Sequence, residues 1–150
     1  MSEAGRRLPM EQTEIFAIFE DVADWVWNQV ETWDWKAQRT IGIQLITATD
    51  SINANLVEGD GRHSGPDSLR FFIIARGSGR EARLWLKRAI SRGLVEERAG
   101  TAKVLQLESA TKQLNLLINF RRGNKGALHV HEATVDYEDG SLQSSNPAIL

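Results

Sequence analysis

At 150 residues the chain is long enough for one domain with a substantial core, and with 41% apolar and 25% charged residues it reads as globular and soluble. It contains no cysteine, which excludes a disulfide framework and thiolate catalysis or ligation and fits a reducing, cytoplasmic setting. The formal net charge of −2 conceals a separation: residues 1–60 carry four basic against eleven acidic side chains, residues 61–125 fourteen against five, and residues 126–150 four acids with no Lys or Arg. Such polarity points to an anionic partner such as nucleic acid, or to the acidic half of one subunit docking on the basic half of another. No apolar run is long enough to span a bilayer, and "MSEAGRRLPM" lacks the apolar core of a signal peptide, so no membrane partner is expected.

Residues 1–12 read as a flexible arm. From Thr13, a suitable N-cap, Ile15, Phe19, Val22, Val26 and Val30 follow helical spacing. Trp25, Trp27, Trp33 and Trp35 gather at the end of this helix and in the connection after it; packing in the core or its rim is the expected role, with base stacking the alternative. A second helix over Trp35 to Glu58 would bury Ile41, Leu45, Ala48, Ile52 and Leu56. "GDGRHSGP" then breaks the pattern, with Pro66 suited to the first turn of a third helix that runs to Arg92 and stops at Gly93.

The third helix carries an apolar arc of Phe71, Ile74, Ala75, Ala82, Trp85, Leu86 and Ala89, and a second strip of Ile73 and Leu84. One buried face suffices in a simple bundle, so the second strip points to a subunit interface. Arg76, Arg80, Arg83 and Lys87 form one basic stripe, expected to face water, phosphates or the acids Glu14, Glu20, Asp21, Asp24 and Glu31 of a neighbouring subunit's first helix. Glycines inside this helix imply close approach of a neighbouring backbone at Gly77, Ser78 and Gly79. A fourth helix over Thr101 to Arg122 directs Val104, Leu107, Leu114, Leu117 and Ile118 inward and ends at Gly123; residues 124–150 read as an acidic, mostly disordered tail. The expectation is an all-α, up-down antiparallel four-helix bundle over residues 13–123.

Little in the chain points to catalysis. "GDGRHSG" has the spacing G-x-G-x-x-x-G and follows a helix rather than a strand, so it reads as a helix break and not a dinucleotide loop. "DSINANLVEGDG" lacks the ligand order of a calcium loop. His129, His131 and Glu132 cluster in the tail, and His63 stands alone in a loop, so neither metal nor other cofactor is expected. Asn55, Glu58 and Arg62 read as a structural polar knot between the second and third helices, rather than an acid–base site.

The run "GIQLITATDSINANLVEGDGRHSGPDSLRFFIIARGSGREARLWL" supplies Gln44, Ser51, Ile52, Asn55, Leu56, Glu58, Gly59, Gly61, Arg62, Ser64, Asp67, Arg70, Phe71, Phe72, Ala75, Gly77, Ser78 and Glu81 in a gapless order. This order resembles the core pattern of the bacterial four-helix bundle family encoded in 23S rRNA gene intervening sequences. Leu56 and Asp67 are mild departures, for Ile and Glu, and the tryptophan-rich connection and acidic tail lie outside the pattern. The resemblance implies a homo-oligomeric, five-fold ring of bundles, no enzyme activity and no small-molecule substrate. A related group, the accessory variability proteins of diversity-generating retroelements, works with a reverse transcriptase and template RNA. Two readings follow: an RNA- or nucleoprotein-associated accessory factor whose stripe contacts phosphates, or a structural adaptor that binds proteins and whose stripe pairs with the next subunit.

Overall fold

In a computed structural model of the chain, residues 7–123 are described; the acidic tail, with His129, His131 and Glu132, lies outside them. Those residues form four long helices and no strand: α1 (Glu14–Glu31), α2 (Ile43–Asp60), α3 (Gly65–Ser91) and α4 (Glu97–Arg121). Among the described residues, no helix is long and apolar enough to cross a membrane. α1 packs on α2 and α4, and α3 packs on α2 and α4, so the four enclose one core.

The boundaries follow from local chemistry. Thr13 caps α1 by accepting from the Phe16 N–H, and Ser64 caps α3 by accepting from Asp67 N–H. α3 ends in a paired return: Gly93 N–H reaches Ile90 O and Leu94 N–H reaches Ala89 O, both at 3.0 Å, with Gly93 at φ 72°. That backbone position favours glycine. α4 starts four residues earlier than its apolar spacing implies, because the Glu96 carboxylate caps it by accepting from Arg98 and Ala99 N–H. The described part of the N-terminal arm is anchored. Met10–Gln12 form a 3₁₀ turn, Met10 is buried, and its N–H donates to Asp60 at 3.0 Å.

The second helical segment is not uniform. Trp35–Ala37 make one α-turn capped by Asp34, and Gln38–Gly42 form a π-helical turn before α2 proper. Gly42 lies against α1, where an added Cβ would stand 2.8 Å from Val30 Cγ1. Widening the turn therefore accommodates close contact with α1. Gln38 Nε2 donates to Val30 O and Glu31 O, closing the C-terminal end of α1. Of the tryptophans, Trp33 is buried and Trp25 and Trp85 half-buried, but Trp27 and Trp35 are exposed, so packing accounts for only part of the cluster.

The core of α1 and the second segment consists of the residues expected: Ile15, Phe19, Val22, Val26, Val30, Ile41, Leu45, Ala48, Ile52 and Leu56 are all buried. α4 directs Val104, Leu107, Leu114 and Ile118 inward, with Leu117 half-buried. α3 departs from the expected arc. Its buried seam is Ser68, Phe72, Ala75, Gly79, Ala82, Leu86 and Ala89, while Phe71 and Trp85 are half-buried and Ile74 is exposed. The seam is chosen by small residues that let helices approach, not by the bulkiest apolar side chains. A Cβ on Gly79 would meet Thr111 Oγ1 of α4 at 3.3 Å, and one on Gly59 would meet Phe71 Cβ and the Phe72 ring at 2.9 Å. Gly77 has nothing of its own chain within 4 Å of such a Cβ, so the expected close approach holds at Gly79 but not at Gly77 within the subunit.

Acidic groups face one another between α1 and α2. Desolvation, with Glu20 and Asp24 nearby, raises the Asp50 carboxyl above its ordinary value. A raised folded-state pKa means the native state binds the proton more readily than the unfolded chain, so ionised Asp50 lowers stability above that pKa. Asp50→Asn should therefore raise Tm at neutral pH, with the gain shrinking to nothing in acid, below the unfolded-state pKa. Thermal melts across pH check this; a lower Tm for the variant at neutral pH contradicts it.

Candidate functional site

The basic stripe lies along the groove between α3 and α4. Arg76 Nη1 donates to Asn115 Oδ1 at 3.2 Å, and Arg83 Nε donates to Glu108 Oε1 at 2.5 Å. The Arg83 and Glu108 side chains are 25% and 22% exposed, so this ion pair is largely sheltered. Arg80 and Lys87 present exposed side chains on the same helix. Lys87 stands at the rim of a cleft of about 470 Å³, whose walls include Ile90, Ser91, Thr101, Val104 and Glu97. Sequence spacing brings these four cations to one side of α3 but gives no sign of Asn115 and Glu108, which come from α4. Only the pairing of helices places those two opposite the stripe.

The intrachain partners change the expected balance. Arg83 is matched by an acid of its own chain, Glu108. Two of the α1 acids are also engaged within the chain. Asp21 accepts from Lys103 Nζ at 2.6 Å and Gln106 Nε2 at 2.8 Å, which lowers its pKa, and Glu20 accepts from Asn53 Nδ2 at 2.8 Å.

The polar knot divides in two. Arg62 pairs with Glu58 and, at 3.5 Å, with Asp67, while its guanidinium and that of Arg70 each stand 4.6 Å from the Phe71 ring centroid. Asn55 is not part of this group; its Nδ2 donates to Ser51 O and Oγ, and Ser51 Oγ meets Ser78 Oγ of α3 at 2.9 Å. Glu81 accepts from Trp85 Nε1 at 3.3 Å. Because Glu58 and Arg62 are 52% and 39% exposed, losing their pair should cost less than about 1 kcal/mol, below the 1–3 kcal/mol typical of a buried one. His63 is exposed in the α2–α3 loop, and no group of three potential metal ligands occurs among the described residues.

The sheltered pair should show in stability. A double-mutant cycle on Arg83→Ala and Glu108→Ala should give a coupling of about 1–2 kcal/mol, above the usual value for exposed pairs. Denaturant titration of the four proteins checks this, and additive effects would contradict it.

Comparison with known proteins agrees with this helical architecture. No curated protein matches the chain significantly. The model of the family described as 23S rRNA-intervening sequence protein matches residues 11–116, which takes in nearly all of the four helices, the Ser51–Ser78 contact and the α3–α4 groove. By that match over most of its length, the chain belongs to the 23S rRNA-intervening sequence protein family.

Proposed function

We propose that the protein is a non-enzymatic, up-down four-helix bundle that assembles into a homo-oligomeric ring and serves as an RNA- or nucleoprotein-associated accessory factor. The up-down order is supported by the direction in which contacts step. Gly59 meets Phe71 and Phe72 while Ser51 meets Ser78, and Arg76 meets Asn115 while Arg83 meets Glu108. Assembly is supported by the outer face of α3. There Leu84 is 49% and Ile74 42% exposed, while Ile73, expected in one strip with Leu84, is half-buried against the core, and Gly77 lies within the helix with no intrachain neighbour where a Cβ would stand. An interior helical glycine costs about 1 kcal/mol relative to alanine, and close approach of a second subunit would offset that cost.

The observation that carries the RNA reading is the segregation of charge onto helices. α3 and α4 hold the excess of Lys and Arg, and Lys87 of the α3 stripe is exposed beside the groove. With the acidic half of the bundle on α1 and α2, a head-to-tail ring places unlike surfaces together, and its remaining basic surface faces anions. The family's description, which ties its genes to ribosomal RNA, is consistent with that partner class.

Light scattering should find the wild-type chain as a homo-oligomer, with a pentamer expected, and Gly77→Leu as a folded but smaller species. A wild-type monomer at micromolar concentration contradicts the ring. RNA titrated onto the wild-type oligomer should bind with affinity that falls steeply as salt rises, and Arg80→Glu with Lys87→Glu should flatten that slope. An intact oligomer that binds no RNA at low salt leaves the adaptor reading in its place.

A further inference from the structure

The corner that joins α1 to α2 has features the groove does not explain. Trp35 is 70% exposed, although a tryptophan is among the side chains that stability most favours burying. The backbone that carries it is well bonded. Asp34 Oδ1 accepts the Ala37 N–H at 3.0 Å, Gln38 ties the next turn to the end of α1, and Thr40 Oγ1 bonds Lys36 O at 2.7 Å. The π-helical turn Gln38–Gly42 follows at once, a local geometry common at functional positions.

One cation stands near the ring, and others line a cleft on the same corner. The Arg39 guanidinium stands 5.7 Å from the Trp35 centroid. Beside them a cleft of about 410 Å³ is lined by Lys36, Thr40 and Ile41 of this corner and by Arg92 and Leu94 from the α3–α4 turn, with Asp34 at its edge. Lys36, Arg39 and Arg92 outnumber the corner's acids, Asp34 and Glu31. An exposed aromatic face with basic groups on the same corner is the combination that binds single-stranded nucleic acid: a base stacks on the ring while phosphates lie along the basic groups.

We propose that this corner is a single-stranded RNA-binding subsite in which Trp35 stacks on a base and Lys36, Arg39 and Arg92 contact the adjoining phosphates. The inference rests on the RNA reading above and gives that RNA a contact point separate from the α3–α4 groove.

Fluorescence anisotropy of a short, labelled oligouridylate, titrated with the full chain and with variants, tests it. Trp35→Ala should weaken binding about tenfold or more, Trp35→Phe should retain most of it, and Lys36→Ala with Arg92→Ala should flatten the salt dependence. Trp35 is exposed, so these changes should leave the melting curve close to wild type. Wild-type binding that Trp35→Ala leaves unchanged would overturn the subsite while RNA association stands. Dissociation of the oligomer by Trp35→Ala would overturn it too, by making Trp35 a contact between copies. No binding by the wild-type chain would overturn both readings.

Discussion

The fold depends on how closely α2 and α3 approach. Gly59 admits Phe71 and Phe72 at distances that no Cβ would tolerate, Ser51 and Ser78 touch through their hydroxyls, and Ile52 reaches towards Gly79. These contacts fix the register of the two helices, and the register fixes which face of α3 is inward. Ser68, Phe72, Ala75, Gly79, Ala82, Leu86 and Ala89 then turn to the core. Ile74 and Leu84 are left outside, and Arg76 and Arg83 fall against α4, where Asn115 and Glu108 receive them. Interiors packed this tightly shift in discrete steps, so one contact of this kind constrains positions several turns away.

The order of the helices along the chain divides the protein's charge. α1 and α2 carry the acidic excess of the first 60 residues, and α3 and α4 carry the basic excess of residues 61–125. Part of each is neutralised inside the chain, through Asp21 with Lys103 and Gln106 and through Arg83 with Glu108, and these pairs tie α1 and α3 to α4. Lys87 and the Trp35 corner stay exposed, and the proposed anionic partner would meet the chain there.

Much of this was legible in the sequence. On α1 and α2 the apolar positions recur at helical spacing with polar residues between them, so every residue expected to be inward is inward. Thr13, Gly93 and Gly123 mark their helix ends by local chemistry that needs no tertiary information. α3 was harder because bulky apolar residues occupy two adjacent ridges. Periodicity cannot tell Phe71 from Phe72, and only the small residues of the seam decide. The partners of the stripe, Asn115 and Glu108, come from another helix and carry no local signature. Asn55 lies on the same helix face as Glu58 and Ser51, and only the structure shows that its amide bonds back to Ser51. The π-helical turn at Gln38–Gly42 has no signature in the residue spacing, and the closeness of Gly42 to Val30 that accompanies it lies across two helices.

The central claim, that close approach of α2 and α3 sets the register, is tested most directly by the unfolding free energy of Gly59→Ala. Helix propensity alone would make this change stabilising by up to about 1 kcal/mol. The contacts at 2.9 Å with Phe71 and Phe72 oppose it, and overpacking at such a site costs about 1–3 kcal/mol. Denaturant unfolding should therefore find the variant less stable than wild type. A variant as stable as wild type, or more stable, would contradict the account.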